Sequence, residues 1–447
     1  MVTQEEKFIQ MTQKPIGKTI SRLAVPCIIS MLVTSFYNMA DTFFVGMLKS
    51  NAATGAVGVV FSMMAIIQAV GFFFGQGSGN YISRALGKKQ YDEASTMAAT
   101  GFFSALGAGL LICVVGQIFL EDLAYLLGST ETILPYTKAY LRVILLGAPW
   151  MTASLVLNNQ LRFQGSAIYS MIGICAGAVL NIALDPLLIF VFDLGVAGAG
   201  WATIVSQFVS FSLLYIGCGK GGNIHISLKN VKLNFFYLRN IFKGGLPSLA
   251  RQFLASFATI SLNHAARPFG DAVIAAMGVV QRVMMFGAST MIGFGQGFQP
   301  FCGFNYGAGL YSRVKKGFWF CIKVSAGVLV VVAGLVFAFA PQIIAIFRDD
   351  PEVIRIGTTA LRFQCLTFPT HSWIVMSTMM EQSMGRTVPA TFLSVARQGL
   401  FFIPLVLMLS ALWGVLGIQM TQATADLLTL AFSVPIHLHV MKNMAHQ

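Results

Sequence analysis

The chain has 447 residues, of which 56% are hydrophobic and 10% charged, and its formal net charge is +13. A soluble domain carries roughly 25% charged residues, so this composition excludes a protein that covers its surface with water-compatible side chains. Many apolar runs approach the roughly 20 residues that a helix needs to cross the hydrocarbon core of a bilayer. Because these runs lack the strict alternation of a membrane barrel, they predict an all-α polytopic membrane protein.

Taken in chain order, the apolar runs predict twelve transmembrane helices, which places both chain ends on the same side of the membrane. Basic residues such as Lys14, Arg162 and Lys229 fall on the side of the chain ends, whereas few, among them Lys49 and Arg348, fall on the other side. By the positive-inside rule, both termini are expected in the cytoplasm, and the positive charge reports topology rather than nucleic-acid binding. The predicted spans are residues 16–46, 52–78, 94–119, 134–158, 166–192, 195–217, 241–266, 272–300, 314–340, 352–380, 388–411 and 414–440.

The two halves of the chain resemble each other at an offset of 219 to 221 residues. Pro26 aligns with Pro247, and the Phe-Gly-Gln-Gly sequence at 74–77 recurs at 294–297. Since each half holds six predicted spans, the halves are expected to form parallel, pseudo-symmetric lobes with a substrate site between them. The predicted domains are an amino-terminal lobe at 1–217, a cytoplasmic inter-lobe loop at 218–240 and a carboxy-terminal lobe at 241–447.

Four polar residues in the spans of the first half are the main candidates for chemistry, because a charged side chain within a bilayer costs a few kcal/mol. Asp41 lies in the first span, Asp185 in the fifth and Thr203 in the sixth, and Asn181 precedes Asp185 by about one helical turn. At a rise of 1.5 Å per residue, Asp41, Asp185 and Thr203 all lie roughly 8 to 12 Å below the outer boundary.

Two carboxylates, an amide and a hydroxyl at one depth would form an oxygen-lined site for H⁺ or Na⁺. Two neighbouring carboxylates cannot both be ionised at low cost in a low-dielectric setting, so one should hold a proton near neutral pH unless Na⁺ compensates it. Two alternatives stay open at this point. The residues could form a hydrogen-bonded polar group that joins helices, or either Asp could contact a cationic substrate directly.

The second half of the sequence does not repeat these carboxylates. It carries Arg251, Arg282, Lys323 and Arg397 within or near its spans, with Asp426 as their main acidic partner. A structural ion-pair network is the first interpretation of these residues, and a binding region for anionic parts of a substrate is the alternative.

Methionine residues fall on spans that should border a central cleft. Their flexible, polarisable side chains suit the binding of varied apolar molecules, although packing between helices is the alternative for each residue. The cleft candidates are Met31, Met63, Met64, Met151, Met284, Met285, Met376, Met379, Met380 and Arg282.

Motifs of enzymes and of ATP-driven pumps are missing from the sequence. No GxxxxGK[ST] loop, HExxH motif or nucleophile elbow is present, His371 is isolated in the sequence, and His437 lies near the chain end. The seven cysteines show no CxxC pairing, which is typical of packing residues. We therefore expect neither an enzyme nor a cofactor, apart from a coupling ion.

Five segments resemble the MATE (multidrug and toxic compound extrusion) family of transporters, in particular its MepA-like and DinF-like bacterial branch. The resemblance extends over essentially the whole chain. The segments are NMADTFFVG at 38–46, YISRALG at 81–87, LNIALDP at 180–186, GVAGAGWAT at 195–203 and GFNYGA at 303–308.

The resemblance implies a secondary active antiporter with a V-shaped pair of six-helix lobes, which exports cationic or amphipathic small molecules in exchange for H⁺ or Na⁺ by alternating access. It also implies that Asp41, Asn181, Asp185 and Thr203 form the ion site, with Na⁺ as the possible metal, and that Pro26 is a hinge. Other branches place carboxylates in the seventh and eighth spans, where this sequence has none of that pattern, so a carboxy-lobe Na⁺ site of that type is disfavoured.

We expect a monomer in the inner membrane of a bacterium, in contact with lipid and small-molecule substrates and without nucleic acid. The alternative function is a flippase or exporter of a lipid-linked or specialised metabolite. That function would require a larger and more cationic cavity between the lobes.

Overall fold

The computed structural model describes residues 3–48 and 50–444, and all regular structure within these residues is helical. The predicted all-α fold is therefore confirmed. Lys49, a predicted outer-loop residue, lies outside the described residues, as do the ends 1–2 and 445–447 of the two predicted lobes.

The helices of the amino-terminal half follow the predicted spans, with one short helix before the first. That helix begins with a capping box, in which the Thr3 hydroxyl accepts from the Glu6 N–H at 3.2 Å and the Glu6 carboxylate accepts from the Thr3 N–H at 3.0 Å. After Pro186 the chain continues as a π-helical turn at Leu187–Val191. The helices are α1 (Gln4–Thr12), α2 (Ile16–Gly46), α3 (Asn51–Gly87), α4 (Tyr91–Ile118), α5 (Leu120–Leu126), α6 (Leu134–Phe163), α7 (Ala167–Pro186) and α8 (Gly195–Cys218).

The carboxy-terminal half departs from the predicted spans at several positions. Its first helix begins at Phe235, inside the predicted loop 218–240, because Asn234 caps it by accepting from the Tyr237 N–H at 3.1 Å. The predicted tenth span is split in two, and the eleventh contains a π-helical turn at Ala396–Phe401. The helices are α9 (Phe235–Ala266), α10 (Asp271–Gly307), α11 (Tyr311–Ala338), α12 (Ala340–Phe347), α13 (Pro351–Thr367), α14 (Thr370–Met384), α15 (Thr387–Val395), α16 (Phe402–Trp413) and α17 (Val415–Lys442).

Ten helical segments of the described chain are long and apolar enough to cross a membrane, judged by length and composition. The helix α9 and the pair α13–α14 occupy the two other predicted spans, 241–266 and 352–380. They fall outside the ten because α13 and α14 are individually short and α9 has no sufficiently long apolar stretch. The two-lobe helical fold is confirmed, whereas the count of twelve spans stays a prediction.

The two halves meet along α2, α3, α9 and α10. The side of the molecule that carries α1 is here named the α1 face. Glycines let these helices touch at backbone distance. A Cβ atom on Gly87 would lie 2.2 Å from the carbonyl oxygen of Phe304, and one on Gly307 would lie 2.2 Å from that of Arg84. Because these pairs correspond at an offset of 220 residues, the contacts are reciprocal, as expected for pseudo-symmetric halves.

The short helix α1 contacts both halves at this face. The buried Lys7 Nζ donates to Ser166 Oγ at 2.8 Å and also to Asn223 Oδ1. From the carboxy half, Asn305 Nδ2 donates to the carbonyl oxygen of Met11 at 3.0 Å. Burial lowers the pKa of Lys7 to about 8. The helix therefore covers the line along which the two halves meet.

Candidate ion and substrate site

A cavity of about 350 Å³ lies between the two halves, within the size range of drug-sized ligand sites. Its walls come from α2, α3, α6, α7 and α8 of the amino half and from α9 and α10 of the carboxy half. Of the predicted cleft methionines, Met31, Met151 and Met285 line it, and so do Asn181 and Thr203. Two of the four predicted ion-site residues, Asn181 and Thr203, are therefore part of the amino-half wall, whereas Asp41 and Asp185 are not among the lining residues.

The four predicted ion-site residues lie together, although they come from three helices. Asp185, Asn181 and Thr203 are at most 2% exposed, and the Oδ1 atom of Asp41 is buried. The carboxyl groups of Asp41 and Asp185 are close enough to interact electrostatically, and both interact in the same way with the hydroxyl of Tyr140. The grouping that helical spacing and depth predict is thus the one that the fold produces.

Most polar atoms of this group lack a hydrogen-bond partner among the described residues. The unpaired buried atoms are Oδ1 of Asp41, both carboxylate oxygens of Asp185, and Oδ1 and Nδ2 of Asn181. The Thr203 hydroxyl donates to the carbonyl oxygen of Ala199 at 3.0 Å. Each buried unpaired polar atom costs roughly 1 to 3 kcal/mol, and a charged one costs more. A group that only joined helices would be paired within itself, so this arrangement favours the binding of a proton or a cation.

The donor set fits both candidate ions. It offers carboxylate, amide and hydroxyl oxygens, which are the ligands that hard cations take in proteins. The same carboxylates accept a proton directly. The site can therefore accept either of the two ions that the sequence predicted, H⁺ or Na⁺.

Glycines bring α7 and α8 close together beside the ion site. A Cβ atom on Gly177 would lie 2.8 Å from the Cβ of Ser210, so the two helix faces are in direct contact. A Cβ atom on Gly198 would lie 2.5 Å from the carbonyl oxygen of Leu188, so the first turn of α8 packs on the π-helical turn that follows α7. These contacts place the polar side chains of the two helices at one level.

Pro26, the predicted hinge, lies buried inside α2, on the same helix as Asp41. Its ring supplies no N–H for helical bonding, which weakens the helix locally. The hydroxyl of Ser30, one turn later, donates to the Pro26 carbonyl oxygen at 2.8 Å. The helix is continuous through this position in the structure.

The other cleft candidates lie away from the cavity lining. Arg282 is exposed on α10. Buried methionines fill space between helices in both lobes, which is the packing alternative that the sequence left open. The methionines outside the lining are Met63, Met64, Met284, Met376, Met379 and Met380.

Arg162 was predicted in a cytoplasmic loop but lies within a helix. The helix α6 extends to Phe163, past the predicted end at 158, so Arg162 is 2% exposed and lines the cavity. Its Nη1 donates to Gln296 Oε1 at 2.7 Å and its Nη2 to Asn159 Oδ1 at 2.6 Å. Hydropathy did not predict the burial of Arg162. A hydropathy pattern shows where an apolar run ends, and the buried helix continues beyond that point.

The predicted ion-pair network of the carboxy lobe is present in part. Arg397 Nε lies 2.7 Å from Asp426 Oδ1, and His371 Nε2 lies 3.0 Å from Asp426 Oδ2. Arg251 instead lines the cavity. His371, isolated in the sequence, is thus a partner of Asp426, because α14 and α17 pack together.

A second buried pair in the carboxy lobe has no sequence prediction. Glu381 Oε1 and His437 Nδ1 lie 3.0 Å apart, and both residues are fully buried. The ring of His437 packs 4.4 Å from that of Phe318 and 5.5 Å from that of Trp373, measured between centroids. Glu381 lies one residue past the predicted tenth span, and His437 lies near the chain end. The sequence therefore predicted no buried pairing for either residue.

Comparison with known protein families matches each half of the chain separately, in agreement with the internal repeat. The family model described as MatE matches residues 26–187 and again residues 247–408. The chain belongs to the MatE family. MatE proteins are membrane transporters, so the expectation of a transporter rather than an enzyme is confirmed. The first matched segment contains Asp41, Asn181 and Asp185, whereas Thr203 follows it.

The chain is also similar to characterised MatE proteins over nearly its full length. It is 28% identical to the multidrug export protein MepA of Staphylococcus aureus (strain MSSA476) over 426 residues, 94% of this chain and 93% of the relative. It is 29% identical to MepA of Staphylococcus saprophyticus over 424 residues, with the same coverage. A solved outward-facing multidrug resistance MATE family transporter shares the fold, with a TM-score of 0.93, 23% identity, and coverage of 98% of this chain and 99% of the other.

Proposed function

We propose that this MatE protein is a secondary active multidrug efflux antiporter, which exports cationic or amphipathic small molecules in exchange for H⁺ or Na⁺ by alternating access. The observation that carries the proposal is the group of buried, unpaired polar atoms on Asp41, Asn181 and Asp185 beside a drug-sized cavity. A transporter that uses an ion gradient needs an ion-binding group near its substrate. The name of the staphylococcal relatives, multidrug export protein, supports the substrate class.

The coupling ion acts through the charge of the two carboxylates. Without an ion, two buried negative charges repel each other and lack hydrogen bonds, whereas one proton or one Na⁺ removes much of this cost. An ion that binds one conformation more tightly than the other shifts the equilibrium between them. A tenfold shift requires about 1.4 kcal/mol of differential binding. Because Pro26 and Asp41 share α2, this helix is the element that transmits the change to the lobe interface.

The proposed orientation puts both termini and the α1 face in the cytoplasm of a bacterium, with the protein as a monomer in the inner membrane. Residues 1–217 and 241–447 act as the two moving lobes, and 218–240 connects them. In this orientation, α1 and the glycine contacts close the cytoplasmic side. Substrate then leaves, and the coupling ion enters, on the opposite side.

A flippase or exporter of a lipid-linked or specialised metabolite is the second candidate, and one observation favours it. Two arginines, Arg162 and Arg251, line the cavity, as expected for a more cationic site. The volume of about 350 Å³ lies near the lower end of the range for drug-sized ligands, roughly 300 to 1,000 Å³. A lipid-linked headgroup needs more space, so multidrug export fits this cavity better.

The test is ethidium efflux from cells that express the wild type, Asp41→Asn or Asp92→Asn at equal membrane levels. Asp92 is a matched control, because it is an exposed carboxylate in the first turn of α4. We expect wild-type efflux that a proton uncoupler abolishes or added Na⁺ stimulates, loss of efflux in Asp41→Asn, and normal efflux in Asp92→Asn. Equal efflux in Asp41→Asn and the wild type would overturn the proposal.

A further inference from the structure

We propose that Arg251 forms an anion subsite in the central cavity, so that the transported compounds include amphipathic molecules that carry a carboxylate or a similar oxyanion. This inference deepens the proposed function and rests on it, because it names a chemical group on the substrates of the same cavity. It is carried by the charges of the cavity wall and not by the ion site.

The charged groups of the described cavity lining are all cationic. Arg162 and Arg251 are among the lining residues, and no Asp or Glu is among them. The ion-site acids Asp41 and Asp185 lie outside this lining. A ligand in the cavity therefore meets guanidinium groups before it meets a carboxylate, which favours an anionic group on the ligand.

The two arginines differ in how their nitrogens are paired. Both terminal nitrogens of Arg162 donate to amide oxygens, those of Gln296 and Asn159. Arg251 has neither an ion pair nor a side-chain hydrogen bond within the described part of the chain. It is therefore the guanidinium with free donors, while Arg162 adds positive potential to the same cavity.

A guanidinium on a cavity wall without a counter-ion is costly, because the surroundings replace only part of its hydration. An oxyanion offsets that cost, since the planar fork of Arg forms two parallel charge-assisted hydrogen bonds with a carboxylate or phosphate. Gln252 and Ser289 line the cavity from the same half and offer neutral donors to such a group. The subsite thus combines one free cation with polar neighbours.

Two other arginines that the sequence singled out in the carboxy lobe do not form an anion site. Arg397 is bound to Asp426 and has a structural partner. Arg282 is exposed and lies outside the cavity lining. Arg251 alone among these three combines a place in the cavity wall with unpaired donors in the described structure, so it carries the inference.

The test compares two dyes that have the same fluorophore. Rhodamine 110 has a free carboxylate, and rhodamine 123 is the methyl ester of rhodamine 110. Fluorescence anisotropy with the purified full-length protein in detergent measures the binding of each dye to the wild type, Arg251→Gln, Arg251→Lys and the control Arg282→Gln. We expect Arg251→Gln to weaken rhodamine 110 binding about tenfold, equal to about 1.4 kcal/mol, and to leave rhodamine 123 binding within twofold of the wild type. Arg251→Lys should recover part of the loss, and Arg282→Gln should match the wild type.

Three other outcomes of the binding experiment would contradict the anion subsite or the proposed substrate class. If Arg251→Gln binds rhodamine 110 as tightly as the wild type, or if the wild type binds the ester alone, the anion subsite is wrong. If the wild type binds neither dye, the drug-sized substrate class of the proposed function fails, and the subsite fails with it. If both dyes weaken equally in Arg251→Gln while Arg251→Lys restores neither, the residue supports the cavity wall and does not recognise an anion.

Discussion

Asp185 and Asp426 are both buried acids within helices, yet their surroundings are opposite. Asp426 is 1% exposed, receives hydrogen bonds from Arg397 and Gln422, and lies 3.0 Å from Nε2 of His371. Asp185 is fully buried, and neither of its carboxylate oxygens has a partner among the described residues. A paired acid stabilises the fold as it stands, whereas an unpaired one is stabilised when an ion arrives.

This contrast predicts opposite effects on stability when the charge of Asp426 or of Asp185 is removed. Asp426→Ala removes a buried partner of Arg397 and His371 and should lower the stability by about 3 kcal/mol. Asp185→Asn removes a buried charge that lacks a partner and should leave the unfolding temperature unchanged or higher. Thermal unfolding of the purified variants in detergent measures both effects. A loss of stability in Asp185→Asn as large as that in Asp426→Ala would assign Asp185 a structural role.

Lys7 should make the stability depend on pH above neutrality. Burial lowers its pKa from the ordinary 10.5 to about 8, so between these values the unfolded chain binds more protons than the folded one. Stability contributed by this residue therefore rises as pH rises from about 8 to about 10.5. We expect the difference in unfolding temperature between the wild type and Lys7→Met to change in the wild type's favour from pH 7.5 to 9.5. The exposed Lys88→Met is the control, and a pH-independent difference for Lys7→Met would contradict the assignment.

The sequence predicted that Asp41, Asn181, Asp185 and Thr203 lie together and that Asp426 pairs with an arginine of the carboxy lobe, but not the pair of Glu381 and His437. Asn181 and Asp185 share a helix face, and simple depth estimates placed Asp41 and Thr203 at their level, so local geometry was sufficient. The pair of Glu381 and His437 joins α14 to α17, and no local pattern in either helix reports that packing. Contacts between distant helices become visible with the tertiary structure.

At the scale of single helices, hydropathy located the apolar centres of the spans better than their ends. The helix α3 continues to Gly87 and α10 to Gly307, beyond the predicted ends at 78 and 300. Their last turns pack against the other half and not against lipid, so they need no continuous apolar sequence. The same reason explains why Arg162, past the predicted end of its span, is buried.

The helix α2 should need its proline for transport and not for stability. Pro26→Ala restores a backbone N–H inside the helix, which favours a straight, fully bonded α2. We expect ethidium efflux to fall several-fold while the unfolding temperature stays equal or rises. Pro435→Ala, which changes an in-helix proline of α17, is the matched control. Unchanged efflux in Pro26→Ala would remove the hinge from the proposed mechanism.

At the scale of the whole molecule, the internal repeat predicted the two lobes, and the reciprocal glycine contacts follow from it. The repeat also predicted a site between the lobes, but it could not predict the chemistry of the cavity wall, because the lobes carry different side chains at corresponding positions. Asp41 and Asp185 lie in the amino half, and Arg251, which has no ion pair within the described residues, lies in the carboxy half. The two similar folds therefore present different side chains at the lobe interface.

Alternating access requires the lobes to move relative to each other, which a cross-link between them should prevent. Ser35 Oγ of α2 and Ser289 Oγ of α10 lie 3.0 Å apart across the lobe interface. We expect the double variant Ser35→Cys/Ser289→Cys to lose efflux after mild oxidation and to recover it after reduction. The two single variants control for oxidation of the seven native cysteines. Wild-type efflux from the fully cross-linked protein would argue against lobe movement at this contact.

The most direct test of the central statement, that Asp41 and Asp185 couple an ion to transport, is ethidium movement in proteoliposomes under an imposed gradient. One series imposes a proton gradient and the other a Na⁺ gradient, each for the wild type, Asp41→Asn and Asp185→Asn. We predict that one of the two gradients drives wild-type transport, that reversing it reverses the transport, and that both variants lose this gradient-driven movement. Wild-type rates in both variants under the same gradient would contradict the assignment of the ion site.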